Sequence, residues 1–174
     1  MTKRASARLL PALLALALLA GCGSSTSTPS GGSTTASSSS AATVKTASSG
    51  VGTILVDGNG KTIYLFQKDA GTKSACSGAC LQHWPAVTTH GKPQEGSGVS
   101  ASLLGTSRRA DGTVQVTYAN HPLYLFAGDS AAGDMNGQDV DAFGARWYVL
   151  GPDGDQITSQ ASSSGGGGSG TGGY

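Results

Sequence analysis

The chain has 174 residues, of which 28 are Gly and only 12% are charged, and its formal net charge is +1. Lys3, Arg4 and Arg8 carry three of the positive charges, and without them the balance is 8 basic against 10 acidic side chains, or −2. That argues against a polyanion binder with a broad basic face, hence against nucleic acid as a partner, and against an acidic disordered tail protein.

Residues 1–21 read as a targeting segment. Lys3, Arg4 and Arg8 form a positive n-region, and the 12 residues Leu9–Ala20 form an apolar stretch. That stretch is too short for a transmembrane helix, which needs about 20 apolar residues. Leu19-Ala20-Gly21-Cys22 then resembles a bacterial lipobox, in which cleavage leaves a lipidated cysteine at the new N-terminus. Acyl chains on Cys22 would make membrane lipid a partner, at about 0.8 kcal/mol per buried CH₂. The expected location is the outer face of the bacterial cytoplasmic membrane. Residues 22–50 are rich in Ser, Thr and Gly and nearly free of apolar side chains. Such a segment cannot offset its ordering entropy, so it reads as a flexible linker with an r.m.s. reach of about 30 Å. Residues 159–174 read as a disordered Gly/Ser tail, which leaves 51–158 as the folded part.

The folded part repeats itself. Thr53–Asp69 aligns without gaps on Thr113–Asp129 at an offset of 60, with Tyr64/Tyr124, Phe66/Phe126 and Asp69/Asp129 identical. Trp84 and Trp147 close the two copies. Each copy reads as a hairpin. In the first, Thr53–Val56 and Thr62–Phe66 flank Asp57-Gly58-Asn59-Gly60. In the second, Val114–Tyr118 and Leu123–Phe126 flank a turn in which Asn120 can take positive φ. Trp147–Leu150 reads as a strand, Pro152-Asp153-Gly154 as a turn, and Ser77–His83 as the one short helical turn. A lone hairpin is unstable, so the expected fold is all-β: a small antiparallel sandwich or barrel of two similar hairpin repeats.

Tyr64-Leu-Phe-Gln-Lys-Asp69 and Tyr124-Leu-Phe-Ala-Gly-Asp129 fit a Tyr-x-(Phe/Trp/Tyr)-x-x-Asp motif. With Cys76–Cys80, His83-Trp84-Pro85, Asn120–Phe126 and Phe143–Tyr148, the chain resembles the bacterial lipoprotein family of tandem secreted repeats. The resemblance covers nearly all of 51–154 and implies a lipid-anchored or secreted envelope protein of unassigned activity. Asp139 and Asp141 stand where relatives are expected to carry Gly and Asn.

The motif residues Tyr64, Phe66, Asp69, Tyr124, Phe126 and Asp129 read as structural. Alternation puts Tyr and Phe on one strand face, and an Asp just past a strand end can accept backbone N–H groups. A catalytic pair seldom occurs twice in one small domain. Cys76 and Cys80 suit a disulfide in an oxidising compartment. The rival is a redox or copper site using both thiols with His83 and Met135. His83, His90 and His121 read as turn or surface residues. The loop Asp134–Asp141 is acidic but lacks an EF-hand pattern. No nucleophile elbow, phosphate loop or haem signature is present, so the expectation is a non-enzymatic protein without cofactor or metal, structural or binding in role.

Overall fold

The computed structural model describes residues 40–159. The signal segment, Cys22 and the tail from residue 160 lie outside the described residues.

Nine strands and one short helix follow in order: β1 (Thr43–Ser49), β2 (Gly52–Asp57), β3 (Tyr64–Phe66), α1 (Ala79–His83), β4 (Gln94–Glu95), β5 (Leu104–Arg108), β6 (Val114–Tyr118), β7 (His121–Pro122), β8 (Val140–Ala142) and β9 (Ala145–Val149). The all-β expectation holds, and the strands form three small sheets: β2-β1-β4, β3-β9-β8 and β5-β6-β7. Every pairing is antiparallel except the two-residue contact of β1 with β4.

β1 corrects the linker boundary. Composition places residues 43–49 in the linker, but they pair with all of β2, from Val44↔Asp57 to Ser49↔Gly52. Only Val44 in this strand is fully buried. The strand is held by its backbone ladder, with β2 on one edge and β4 on the other, so side-chain hydropathy gives little sign of it.

The second correction concerns the hairpins. Both turns form. Gly60 donates to Asp57 O, and the Asp57 side chain accepts the Asn59 and Lys61 amides. Gly60 takes φ 84°, completing a three-residue loop with a bulge. In the second copy Ala119 and Asn120 both take positive φ between β6 and β7, which makes a two-residue loop. The first loop is therefore one residue longer. Val56 bridges Thr62, whereas Thr117 pairs with Pro122. Val56 thus corresponds to Thr117, an offset of 61, while Tyr64 and Tyr124 keep 60. The ungapped alignment fails by one residue along β2 and β6, so Thr53/Thr113 and Val56/Val116 are not equivalent pairs.

Beyond these turns the copies exchange partners. β3 leaves β2 and pairs with β9 of the second copy, Phe66 opposite Trp147. Residues 123–126, expected as a strand of their own hairpin, run along residues 85–87 of the first copy instead. Val87 donates to Leu123 O, Leu125 to Pro85 O and Ala127 to His83 O. On the axis of this exchange Tyr64 and Tyr124 trade backbone bonds, N to O in both directions, at 2.8 and 3.0 Å.

The core follows from the exchange. One cluster gathers Leu55, Ile63, Leu65 and Val87 with Val116, Tyr118, Leu123 and Leu150. The other gathers Ile54, Val56, Tyr64, Phe66 and Trp84 with Tyr124, Trp147 and Val149. Each cluster draws on both copies, so neither copy owns a core. At about 1.5–3 kcal/mol per fully buried large side chain, this shared burial dominates the stability.

Candidate functional site

The alternation expected in the motif strand is present. Leu65 enters the first cluster, while Tyr64 and Phe66 enter the second. Two faces of one three-residue strand thus serve two cores, because successive side chains point to opposite sides.

Four rings stack in a column through the second cluster. Phe66 lies 4.0 Å from Trp147 with a 7° interplanar angle, Trp147 lies 3.9 Å from Trp84 at 3°, and Trp84 lies 4.4 Å from Phe126 at 31°. Each Phe therefore packs on the Trp of the other copy. Tyr64 meets Trp84 edge-on at 5.4 Å, and Tyr124 meets Trp147 edge-on at 5.1 Å. Such pairs add about 0.5–1.5 kcal/mol each beyond area burial.

The tyrosine hydroxyls also cross between copies. Tyr64 donates to Asp129 Oδ2 at 2.7 Å, and Tyr124 donates to Asp69 Oδ2 at 2.8 Å. The second oxygen of each carboxylate caps the loop that follows its own strand. Asp69 Oδ1 accepts the Ala75 amide at 2.7 Å, and Asp129 Oδ1 accepts the Asn136 amide at 2.9 Å. The capping role was expected from the sequence. The cross-copy partner was not, since nothing local joins residues about 60 positions apart.

Burial pushes the Asp69 carboxyl up to about 6, against the pull of the Ala75 amide, the Tyr124 hydroxyl and Arg109. Burial also raises Asp129, against the Tyr64 and Asn136 hydrogen bonds. Both phenols are pushed well above their ordinary value, first by burial and then by their anionic partners or neighbours. Both phenols are thereby held protonated near neutral pH, as donors to the two carboxylates. A cavity of about 140 Å³ beside Asp129 is well below the roughly 300 Å³ at which ligand pockets begin, and a wider one of about 520 Å³ reaches the second motif at Leu125.

The two crossings differ in their surroundings. Gly137 donates to the Tyr64 hydroxyl at 3.3 Å, and a Cβ there would sit 2.9 Å from both the Tyr64 and Trp84 rings. Only Gly lets the loop close over these rings. On the other side Ser74 Oγ lies 2.6 Å from the Tyr124 hydroxyl. Arg109 Nη1 donates to Ser74 Oγ at 2.8 Å and to Gln115 Oε1 at 2.5 Å, and its Nη2 donates to Cys76 O at 2.6 Å. Gln115, fully buried, passes the network on to Leu123 O. Gly137, Ser74, Arg109 and Gln115 were not singled out from the sequence. The only trace is Gln115, a polar residue set between Val114 and Val116 in β6.

Cys76 and Cys80 form a disulfide with Cα atoms 5.4 Å apart, spanning the entry to α1. His83 is exposed and packs on Phe143 at 5.8 Å, and Met135 packs against the second cluster. Thiols joined in a disulfide are not copper ligands, and among the described residues no three His, Cys, Asp or Glu side chains are grouped to hold a metal. His90 is exposed and His121 lies in β7. In the acidic loop, Asp134 accepts the Ser130 and Ala131 amides, and Asp139 pairs with Arg146 at 2.6 Å. Asp139 has φ 59°, a conformation Gly takes without strain.

A family model described as a secreted repeat of unknown function matches the chain twice, over residues 45–88 and 105–150. The matched segments begin within β1 and β5 and end at Thr88 and Leu150, so they coincide with the two exchanged copies. No curated protein and no solved structure matches the chain.

Proposed function

Since the chain belongs to this family of secreted repeats, we propose that it is a lipid-anchored, non-catalytic envelope scaffold, held to the membrane through acylated Cys22. A secreted family goes with an extracellular or envelope location. The observation that carries the non-catalytic reading is the fate of the one motif both repeats share. Its two phenols and two carboxylates are spent on each other across the copies, and they leave no group free for chemistry. The loops differ between the copies, and the domain serves to hold those loops rigidly away from the bilayer.

The anchor is tested by feeding whole cells an alkynyl palmitate analogue and separating membranes from medium. Wild type takes up label and stays with the membrane. Cys22→Ser is expected to lose the label and appear in the medium with unchanged thermal stability. An unlabelled wild type, or a Cys22→Ser chain still labelled, overturns the anchor.

A further inference from the structure

The two copies serve as an internal control. A feature the fold requires should occur in both, and one that occurs once is free for another purpose. Opposite the β1–β2 register, Ser48 pairs with Thr53 and Ser49 with Gly52. At the corresponding positions of β5–β6, Arg108 pairs with Val114, and Arg109 donates to Thr113 O. The same architecture therefore forms with two serines in one copy and two arginines in the other.

Arg108 and Arg109 border a cavity of about 290 Å³ at the seam between the copies, which is also lined by Lys73, Ser74, Ser77 and Ser107. Three cationic residues and three serines line it and no carboxylate does, and the Arg108 guanidinium also donates to Gly112 O at 2.9 Å. Arg109 is held rigidly, its side chain 7% exposed and tied to Ser74, Gln115 and Cys76. Its Nε has no hydrogen-bond partner and lies 3.7 Å from Asp111 Oδ2. Asp69, behind Ser74, bonds to Tyr124 and Ala75 and is also attracted to Arg109. With Asp111 and Asp69 both set against Arg109, the lining keeps the positive charges of Lys73 and Arg108 and a net surplus of one.

We propose that this seam cavity binds a phosphate-bearing small molecule. A phosphate monoester carries about −1.5 to −2 charges at neutral pH, opposite in sign to the lining. Arg, Lys and Ser are the donors that such oxygens take, and a guanidinium already fixed in place loses little freedom on binding. The volume admits the phosphate and a short substituent, at the lower edge of ligand-pocket size. The site adjoins the Tyr124–Asp69 crossing through Ser74 and Arg109 but uses none of the motif's own groups, so the scaffold reading stands whether or not this one does.

The test is calorimetric titration of the full-length lipidated chain in detergent micelles, at fixed ionic strength, with inorganic phosphate, glycerol 3-phosphate and acetate. Saturable binding of either phosphate is expected. Tighter inorganic phosphate points to the free ion, and tighter glycerol 3-phosphate to an organic monoester. The variant Lys73→Ala/Arg108→Ser, whose serine copies the other repeat, should weaken binding at least about tenfold and leave the ligand-free Tm unchanged. Lys73→Ala alone should give a smaller loss and guards against a folding defect in the pair. Unsaturable titration, equal binding of acetate, or full affinity in the double variant overturns the proposal.

Discussion

Replacing Tyr64 by Phe removes one oxygen from the centre of the exchanged fold and leaves its ring column in place. Asp129, only 6% exposed, would lose its Oδ2 donor and keep the Asn136 amide on Oδ1. The Gly137 amide would lose its acceptor as well. Hydrogen bonds to charged groups contribute about 1.5–3 kcal/mol, and an unsatisfied buried group costs a similar amount. The expected loss at pH 7 is therefore about 2–3 kcal/mol. In urea, with a slope of about 2 kcal/mol/M for a domain of this size, the midpoint should fall by about 1 M at unchanged slope. Tyr124→Phe should cost less, about 1–2 kcal/mol, because Asp69 is less buried and keeps the Arg109 network nearby. Pairing Tyr64→Phe with Asp129→Asn should then show a coupling of at least about 1 kcal/mol. As pH falls, Asp129 takes up a proton and the penalty of Tyr64→Phe should shrink. A midpoint within about 0.2 M of wild type, or no coupling in the cycle, would refute the view that the crossing braces the two copies.

Three further outcomes are expected. The Asp69 carboxyl stands at about 6 in the folded chain and about 3.9 unfolded, so the folded state binds the proton more tightly. The Asp69 contribution to stability should be fully present below about pH 4, fall as pH rises to about 6 and level off above; the shift corresponds to about 3 kcal/mol, cut to about 1–2 by partial exposure. Denaturation at stepped pH should show this slope and Asp69→Asn should flatten it. An unflattened slope assigns it to other groups. Residues 40–100 and 101–159, made separately, should each be unfolded by circular dichroism and gain structure only when mixed, since every core cluster draws on both; a folded half alone would contradict this. Cys76→Ser/Cys80→Ser should lower stability by about 2 kcal/mol, the entropy of so short a loop, in a reversible thermal melt. A much larger loss would give the disulfide a role beyond closing the entry to α1.

Features of this fold that depend on neighbours in the chain were legible in the sequence. Asp57–Gly60 and Asn120 turn the chain where Gly and Asn tolerate positive φ, and Tyr64 and Phe66 share a face because the strand period is two. The repeat, the short helix and the closeness of Cys76 to Cys80 are likewise local. Three things were decided only in three dimensions. β1 formed from a polar segment because β2 and β4 both offered it a backbone edge, and composition does not record that. The strands of each repeat took partners from the other copy because only that arrangement stacks Trp84 on Trp147 and puts Phe66 and Phe126 at the ends of the column. Hydrophobic pattern marks which residues are buried but is silent on which strand buries them. The pairing of Tyr64 with Asp129, and of Tyr124 with Asp69, follows from that exchange. It brings together groups that no sequence window contains, and so the motif's meaning belongs to the tertiary structure.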